Sequence, residues 1–194
     1  MSGARRHAGR RGGPTVTSRT MGQALTPALP LGADDALRRA TYARVRASID
    51  ALLDGEEDWV AAMATVVCEL HHAFESHDWT GFYRAVGGER LVIGPYQGGH
   101  GCLRIPYSRG VCGAAARTRQ TQLVPDVEAF ADHIACSSST RSEIVVPVST
   151  PDGRLLAVLD VDSDSPAAFD ALDREALEDL CRALGRRFEG HAPP

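Results

Sequence analysis

The 194-residue sequence contains no lysine, so arginine supplies all of its fixed positive charge, an absence that we attribute to genomic base composition. It has no run of 18 apolar residues, which excludes a membrane-spanning helix. Its five cysteines are too few for the disulfide scaffold of a small secreted protein, and their odd number means that they cannot all be paired within the chain. A chain of this length can bury enough core to fold without disulfides or a metal ion. We therefore expect one soluble domain in the reducing cytoplasm.

Positive charge is concentrated at the N-terminus. Residues 1–33 hold five arginines and no acidic residue, whereas residues 34–194 hold the other 16 arginines and all 25 acidic residues. Such a segment is typical of a targeting peptide or a nucleic-acid-binding arm, but its Gly, Pro, Ser and Thr content favours a disordered tail, with Met21 as an alternative start. We predict an Arg-rich disordered tail over 1–33 and one domain over 34–190, whose acidic balance argues against nucleic-acid binding.

Hydrophobic periodicity changes along the chain and predicts an α+β fold. The spacing predicts helices at about 34–53, 56–74, 111–119 and 170–188, and strands at 79–86, 90–97, 122–124, 143–150 and 154–161. Residues 98–112 are expected to form a loop or an irregular edge of the sheet, and 126–142 a long irregular connection. Apolar residues at helical spacing predict the buried faces of the first two helices: Leu37, Val45, Ile49, Leu52, and Val60, Met63, Val67, Leu70, Phe74. The order of elements predicts an antiparallel sheet with helices on one face.

The five cysteines fall into two groups. Cys68 and Cys181 lie on predicted helices among apolar residues, where a free cysteine packs as a small hydrophobe. Cys102, Cys112 and Cys136 lie in or beside loops. Cys112 comes near the start of a helix, where backbone N–H groups and the helix dipole lower the pKa of a thiol.

Spacing weighs against a metal site formed by the loop cysteines. They are separated by 9 and 23 residues and form no CxxC pair, whereas structural zinc ligands come in close pairs. A metal site in which His100 and His133 complete the ligands is an alternative, but we expect no metal. The pattern favours redox chemistry by a nucleophilic thiolate and a resolving thiol.

Acidic and aromatic residues form a second candidate cluster. Asp160 and Asp162 are two apart on a predicted strand and therefore share a face, and Glu143 begins the preceding strand. These carboxylates suit a substrate with an ammonium group, and crowding raises the pKa of one of them enough for it to hold a proton. An alternative interpretation is that these three carboxylates are solvent-exposed residues at strand ends. Trp79 and Tyr83 share a strand face and are expected to wall an apolar pocket or to pack in the core.

Eight ordered motifs over about residues 36–188 resemble the free methionine-(R)-sulfoxide reductases, which are single GAF domains. They are Asp78-Trp79-Thr80-Gly81-Phe82-Tyr83, Gly94-Pro95-Tyr96-Gln97-Gly98, Cys102-Leu103-Arg104-Ile105-Pro106, Arg109-Gly110-Val111-Cys112-Gly113, Val124-Pro125-Asp126-Val127, His133-Ile134-Ala135-Cys136, Ser142-Glu143-Ile144-Val145-Val146-Pro147 and Val158-Leu159-Asp160-Val161-Asp162-Ser163. The resemblance implies a central antiparallel sheet of about six strands, terminal helices on one face, and a homodimer.

The resemblance also implies a reaction: reduction of free methionine (R)-sulfoxide, with no bound cofactor and with thioredoxin as electron donor. By motif, Cys136 would attack the sulfoxide sulfur and become a sulfenic acid, which Cys102 would convert to a disulfide. Cys112 matches the third family cysteine and would relay the disulfide or serve as the nucleophile itself. A rival interpretation is a GAF-type sensor of small molecules or redox state that performs no turnover.

The family also implies roles for the acidic and aromatic residues. Glu143, or else Asp160 or Asp162, would protonate the sulfoxide oxygen. The three carboxylates would bind the ammonium group of the substrate, which explains a preference for a free amino acid. Trp79 would hold the methyl end of the side chain, and Tyr83 would border that pocket.

Overall fold

A computed structural model describes residues 26–132, 134 and 136–190. Its elements, in chain order, are α1 (Asp35–Leu52), α2 (Trp59–His71), β1 (Trp79–Val86), β2 (Arg90–Gln97), β3 (Arg104–Pro106), α3 (Gly110–Thr118), β4 (Gln122–Val124), a 3-10 turn (Val127–Ala129), β5 (Ser142–Ser149), β6 (Leu155–Ser163) and α4 (Ala171–Arg187). Aspartates cap three of the helices, because the side chains of Asp34, Asp58 and Asp170 accept hydrogen bonds from first-turn N–H groups.

The six strands form one sheet in the order β3-β2-β1-β6-β5-β4, with every neighbouring pair antiparallel. The α+β prediction with about six strands is confirmed. The strand β3 lies within residues 98–112, for which the sequence left a loop or an irregular edge open, and it forms one edge of the sheet. An edge strand tolerates Pro106 because one side of its backbone needs no ladder partner.

Helices α2 and α4 pack on one face of the sheet and α1 packs against these two helices, so the terminal helices lie on one side as predicted. Their shared core includes Val45, Met63 and Leu177 from the helices and Phe82 and Leu159 from the strands. A second, smaller core on the opposite face includes α3 and the surrounding loops. Among the described residues, no helix is long and apolar enough to cross a membrane.

Three helical residues predicted to be buried are exposed. Leu37, Leu52 and Val60 each expose about half of their surface, at 49%, 51% and 53%. Each lies among the first or last three residues of its helix. The prediction for these positions is wrong, because periodicity gives the direction of a buried face but not its width.

The domain begins before the predicted boundary at residue 34. Residues 1–25 of the proposed tail, with Met21, lie outside the described residues. Leu29 is buried in the main core, and its backbone N–H donates to Ala73 O at 2.8 Å while its carbonyl accepts from Glu75 N at 2.9 Å. The tail prediction is therefore wrong for residues 26–33, because a single leucine with two backbone hydrogen bonds can anchor a Pro-rich segment.

Candidate active site

Antiparallel register brings the acidic and aromatic residues together on the α3 side of the sheet. Asp162 of β6 lies directly between Trp79 of β1 and Glu143 of β5. Two residues along, Asp160 lies between Gly81 and Val145 in the same manner. Because residues two apart on a strand share a face, both rows project to the same side. The predicted cluster of three carboxylates beside an aromatic residue is thus assembled by three neighbouring strands.

These carboxylates are withdrawn from solvent. Glu143 and Asp160 are buried and Asp162 is partly buried. Burial, reinforced by the negative charges of Asp160 and Asp162, raises the pKa of Glu143 well above its usual range. Burial raises the pKa of Asp160 to about 6, against the opposing effect of the hydrogen bond from Cys112. The cluster therefore holds at least one proton near neutral pH, which makes both a proton donor and an anionic partner available.

Cys112 covers this cluster from the first turns of α3. Its thiol lies 3.2 Å from Asp160 Oδ2, to which it donates, and 4.0 Å from Glu143 Oε1. Burial, followed by the negative charges of Asp160 and Glu143, raises the pKa of the thiol well above its usual range. The prediction of a lowered pKa at the helix start is wrong, because desolvation and nearby carboxylates outweigh the helix dipole here.

An aromatic stack forms one wall beside the carboxylates. The Trp79 ring stacks with Tyr83 at 5.8 Å between centroids and with Tyr96 at 5.5 Å, and its indole N–H donates to Gly99 O at 3.0 Å. The ring crosses Gly81, where a Cβ atom would lie 2.4 Å from Trp79 Cη2. Tyr96 is a member of the stack that the sequence analysis left without a role, although it lies in one of the quoted motifs.

A disulfide joins Cys102 and Cys136, 34 residues apart in the chain. Both residues are partly buried, one in the loop before β3 and the other in the long connection before β5. Cys136 lines the same cavity as Cys112 and Glu143. The structure therefore brings together the two cysteines for which the resemblance implied a disulfide and leaves Cys112 as a free thiol.

A cavity of about 40 Å³ lies between the sheet, α3 and the two cysteine loops. Seven of its lining residues are among the predicted ones: Trp79, Tyr83, Cys112, Cys136, Glu143, Asp160 and Asp162. Ile134, Ser137 and Thr140 also line the cavity without having been predicted as site residues, and they lie close to Cys136 in sequence. His100 also lines the cavity, whereas His133, the second candidate metal ligand, lies outside the described residues.

A family model described as GAF domain matches residues 58–188. The free methionine-R-sulfoxide reductase of Saccharomyces cerevisiae is 40% identical over 145 residues, which cover 72% of this chain and 81% of that protein. The chain belongs to the free methionine-R-sulfoxide reductase family of GAF domains. The reductase of the same name from Escherichia coli is 37% identical over 143 residues, covering 74% of this chain and 86% of that one.

Solved structures of the reductase family share the fold. The free methionine-R-sulfoxide reductase of Neisseria meningitidis, solved in complex with its substrate, has a TM-score of 0.75 and 44% sequence identity. The match covers 84% of this chain and 96% of that one. The family pattern therefore extends over both the sheet that carries the carboxylates and the loops that carry the cysteines.

Proposed function

We propose that this protein reduces free methionine (R)-sulfoxide to methionine by cysteine chemistry, with thioredoxin as electron donor. The observation that carries the proposal is the Cys102–Cys136 disulfide beside a cavity lined by buried carboxylates and Trp79. A pair of cysteines that can form a disulfide supplies the two electrons that sulfoxide reduction consumes. Family membership selects the sulfoxide of a free amino acid as the substrate.

The first step forms a sulfenic acid on Cys136. Its thiolate attacks the sulfur of the sulfoxide, whose oxygen takes a proton. The hydroxyl oxygen is then transferred to the Cys136 sulfur, so that the Cys136 S–O bond forms as the S–O bond of the substrate breaks. Glu143 is our choice for the proton donor, because burial and the neighbouring carboxylates raise its pKa and so favour its protonated form. Methionine leaves, and the oxygen remains on Cys136 as a sulfenic acid.

The second step returns the oxygen as water. Cys102 attacks the Cys136 sulfur, the sulfenic hydroxyl leaves as water after taking up a proton, and the disulfide forms. The dithiol of thioredoxin then exchanges with this disulfide and restores both thiols. Cys112 is buried, protonated and outside the disulfide, so we assign it neither the nucleophilic nor the relay role. It instead donates a hydrogen bond that favours the ionised form of Asp160.

The remaining groups account for recognition of a free amino acid. Asp160 and Asp162 lie on one strand face and supply negative charge for the substrate ammonium group, which a peptide-bound residue lacks. Trp79 and Tyr83 provide the apolar wall for the methyl end of the side chain. Tyr83 is 2% exposed and stacks against the Trp79 ring. We therefore assign Trp79 the main contact with the substrate side chain.

The resemblance also leads us to propose a homodimer that works in the reducing cytoplasm. Light scattering coupled to size-exclusion chromatography tests the assembly. A mass of twice 20.7 kDa supports the dimer, and a mass of 20.7 kDa excludes it.

A coupled assay tests the activity. The protein is incubated with thioredoxin, thioredoxin reductase and NADPH, and the (R)- and (S)-sulfoxides of free methionine are added separately. NADPH oxidation with the (R) form alone supports both the reaction and the donor. Activity with dithiothreitol but not with thioredoxin keeps the reaction and excludes the donor. No activity with either reductant, from folded and reduced protein, favours a sensor without turnover.

Single-turnover measurements separate the two cysteines. Cys136→Ser is expected to form no methionine, because the nucleophile is lost. Cys102→Ser is expected to form one equivalent and then stop with thioredoxin, because the sulfenic acid has no resolving partner. Cys68→Ser serves as the matched control, since Cys68 lies on α2, away from the cavity. A full first turnover in Cys136→Ser contradicts the assignment.

A further inference from the structure

We propose that Cys112, Glu143 and Asp160 form a binding site for one divalent cation of the zinc class. The sulfur atom and one carboxylate oxygen from each acid lie within 4.8 Å of one another, and all three residues are buried. The distances from the Cys112 sulfur to the carboxylate oxygens are 3.2 Å to Asp160 and 4.0 Å to Glu143. A tetrahedral zinc ion with ordinary bond lengths sets sulfur and oxygen about 3.5 Å apart, a value between these two.

An unsatisfied oxygen points to a missing partner in this cluster. Asp160 is 5% exposed, and its Oδ1 atom is buried with no hydrogen-bond partner among the described residues. Such an atom loses its hydration without compensation unless a ligand supplies a donor or a positive charge. Asp162 adds negative charge to the cluster, and none of the described residues lining the cavity is an arginine. The cluster therefore lacks a cation of its own.

The size of the cavity favours a small ion in the disulfide form. Its volume of about 40 Å³ has room for a few water-sized groups, since each needs roughly 10–15 Å³. That space suits an ion that completes its shell with water, as zinc does when three protein ligands leave one position open. Because Cys112 takes no part in the disulfide, its sulfur remains available as a ligand when Cys102 and Cys136 are oxidised.

Binding is an exchange of protons for the ion. The Cys112 thiol and any protonated carboxylate must lose their protons, so affinity rises with pH. The ion would take Asp160 from the carboxylates that the proposed function gives to the substrate ammonium group, and Glu143 from its proposed role as proton donor. The same carboxylates that recognise an amino acid would then make the protein sensitive to thiophilic metals.

Cobalt absorption tests the site without any turnover, so its outcome is independent of the proposed reaction. The probe is Co²⁺ added to the disulfide form of a Cys68→Ser protein. In this form Cys102 and Cys136 are bonded to each other and cannot bind the ion. The background change is needed because Cys68 Sγ and His72 Nδ1 lie 3.9 Å apart and offer a competing soft site. We expect one equivalent of Co²⁺, a thiolate-to-cobalt charge-transfer band, and loss of the band when Zn²⁺ displaces the cobalt.

Two further variants in that background make the assignment specific. Adding Cys112→Ser is expected to abolish the band. Adding Asp160→Asn, which keeps the shape of the side chain, is expected to weaken binding by at least about tenfold while retaining the band at high cobalt. Circular dichroism confirms that each variant is folded. A band that persists without Cys112, or no stoichiometric binding in the folded Cys68→Ser protein, overturns the proposal.

Discussion

Replacing Gly81 with alanine should damage the site while leaving the fold intact. An added Cβ atom would lie 2.4 Å from Trp79 Cη2, 2.8 Å from Trp79 Cζ3 and 2.6 Å from Tyr96 Cβ. Ordinary carbon contacts are about 3.5–4.0 Å, so the Trp79 ring must retreat by about 1 Å. The strand cannot move instead, because β1 is paired on both sides, with β2 and β6.

The expected magnitude follows from that geometry. Overpacking of this kind costs about 1–3 kcal/mol, divided between strain in the fold and displacement of the ring. If displacement of Trp79 takes most of the cost, kcat/KM for free methionine (R)-sulfoxide falls by about 5- to 150-fold. We expect much of the loss in KM, because the role proposed for Trp79 is to contact the substrate side chain and not to donate a proton. Any strain that remains lowers the Tm by about 2–4 °C per kcal/mol.

The coupled NADPH assay and thermal unfolding are measured together on Gly81→Ala and on Gly87→Ala. Gly87 follows the end of β1, and a Cβ there meets no atom within 4 Å, so this control should retain wild-type KM and Tm. A Gly81→Ala protein with unchanged kcat/KM and unchanged Tm would refute the reasoning, because the steric conflict would then have been absorbed at no cost.

Three further predictions concern stability, measured by urea denaturation. Leu29→Ala should lower the free energy of unfolding by about 2 kcal/mol because the side chain is buried. The control Leu31→Ala, at an exposed side chain, should change it by less than about 0.5 kcal/mol. Equal effects would contradict the early start of the domain. Burial raises the pKa of Asp160 to about 6, so the ionised carboxylate costs stability above that pH. Asp160→Asn should therefore stabilise the protein more at pH 8 than at pH 5, and the reverse order would exclude this cause. Gly185→Ala should destabilise by about 3 kcal/mol, because its Cβ would lie 1.9 Å from a backbone oxygen of β5, while Gly190→Ala, which meets nothing within 4 Å, should be neutral.

Much of the sheet could be predicted from local patterns. The bounds of β1, β2 and β4 were predicted to the residue, because alternation and turn residues are local signals. The limits of burial could not be predicted in the same way. Leu37 and Val60 follow the helical period but lie in the first turns of their helices and are exposed. Leu29 has no pattern at all, since one anchoring contact produces no periodicity.

In the site, too, local spacing could be predicted from the sequence, whereas contacts between distant strands could not. That Asp160 and Asp162 share a face follows from their spacing, whereas their place beside Trp79 depends on the pairing of β1 with β6, strands that are far apart in the chain. The environment of Cys112 was predicted wrongly for the same reason. Its position at a helix start is local, but the carboxylates that raise the pKa of its thiol come from β5 and β6.

The proposed function assigns substrate recognition and redox chemistry to different parts of the fold. The carboxylates and Trp79 project from paired strands, where backbone hydrogen bonds on both sides hold their spacing. Cys102 and Cys136 lie on loops, which can separate the two sulfurs for attack on a substrate and bring them together afterwards. A nucleophile that must next meet a resolving thiol needs such freedom, whereas a cluster of buried carboxylates needs rigidity, because it costs stability to keep assembled. Substitutions on the strands should therefore act mainly on substrate affinity, and substitutions of the loop cysteines on turnover.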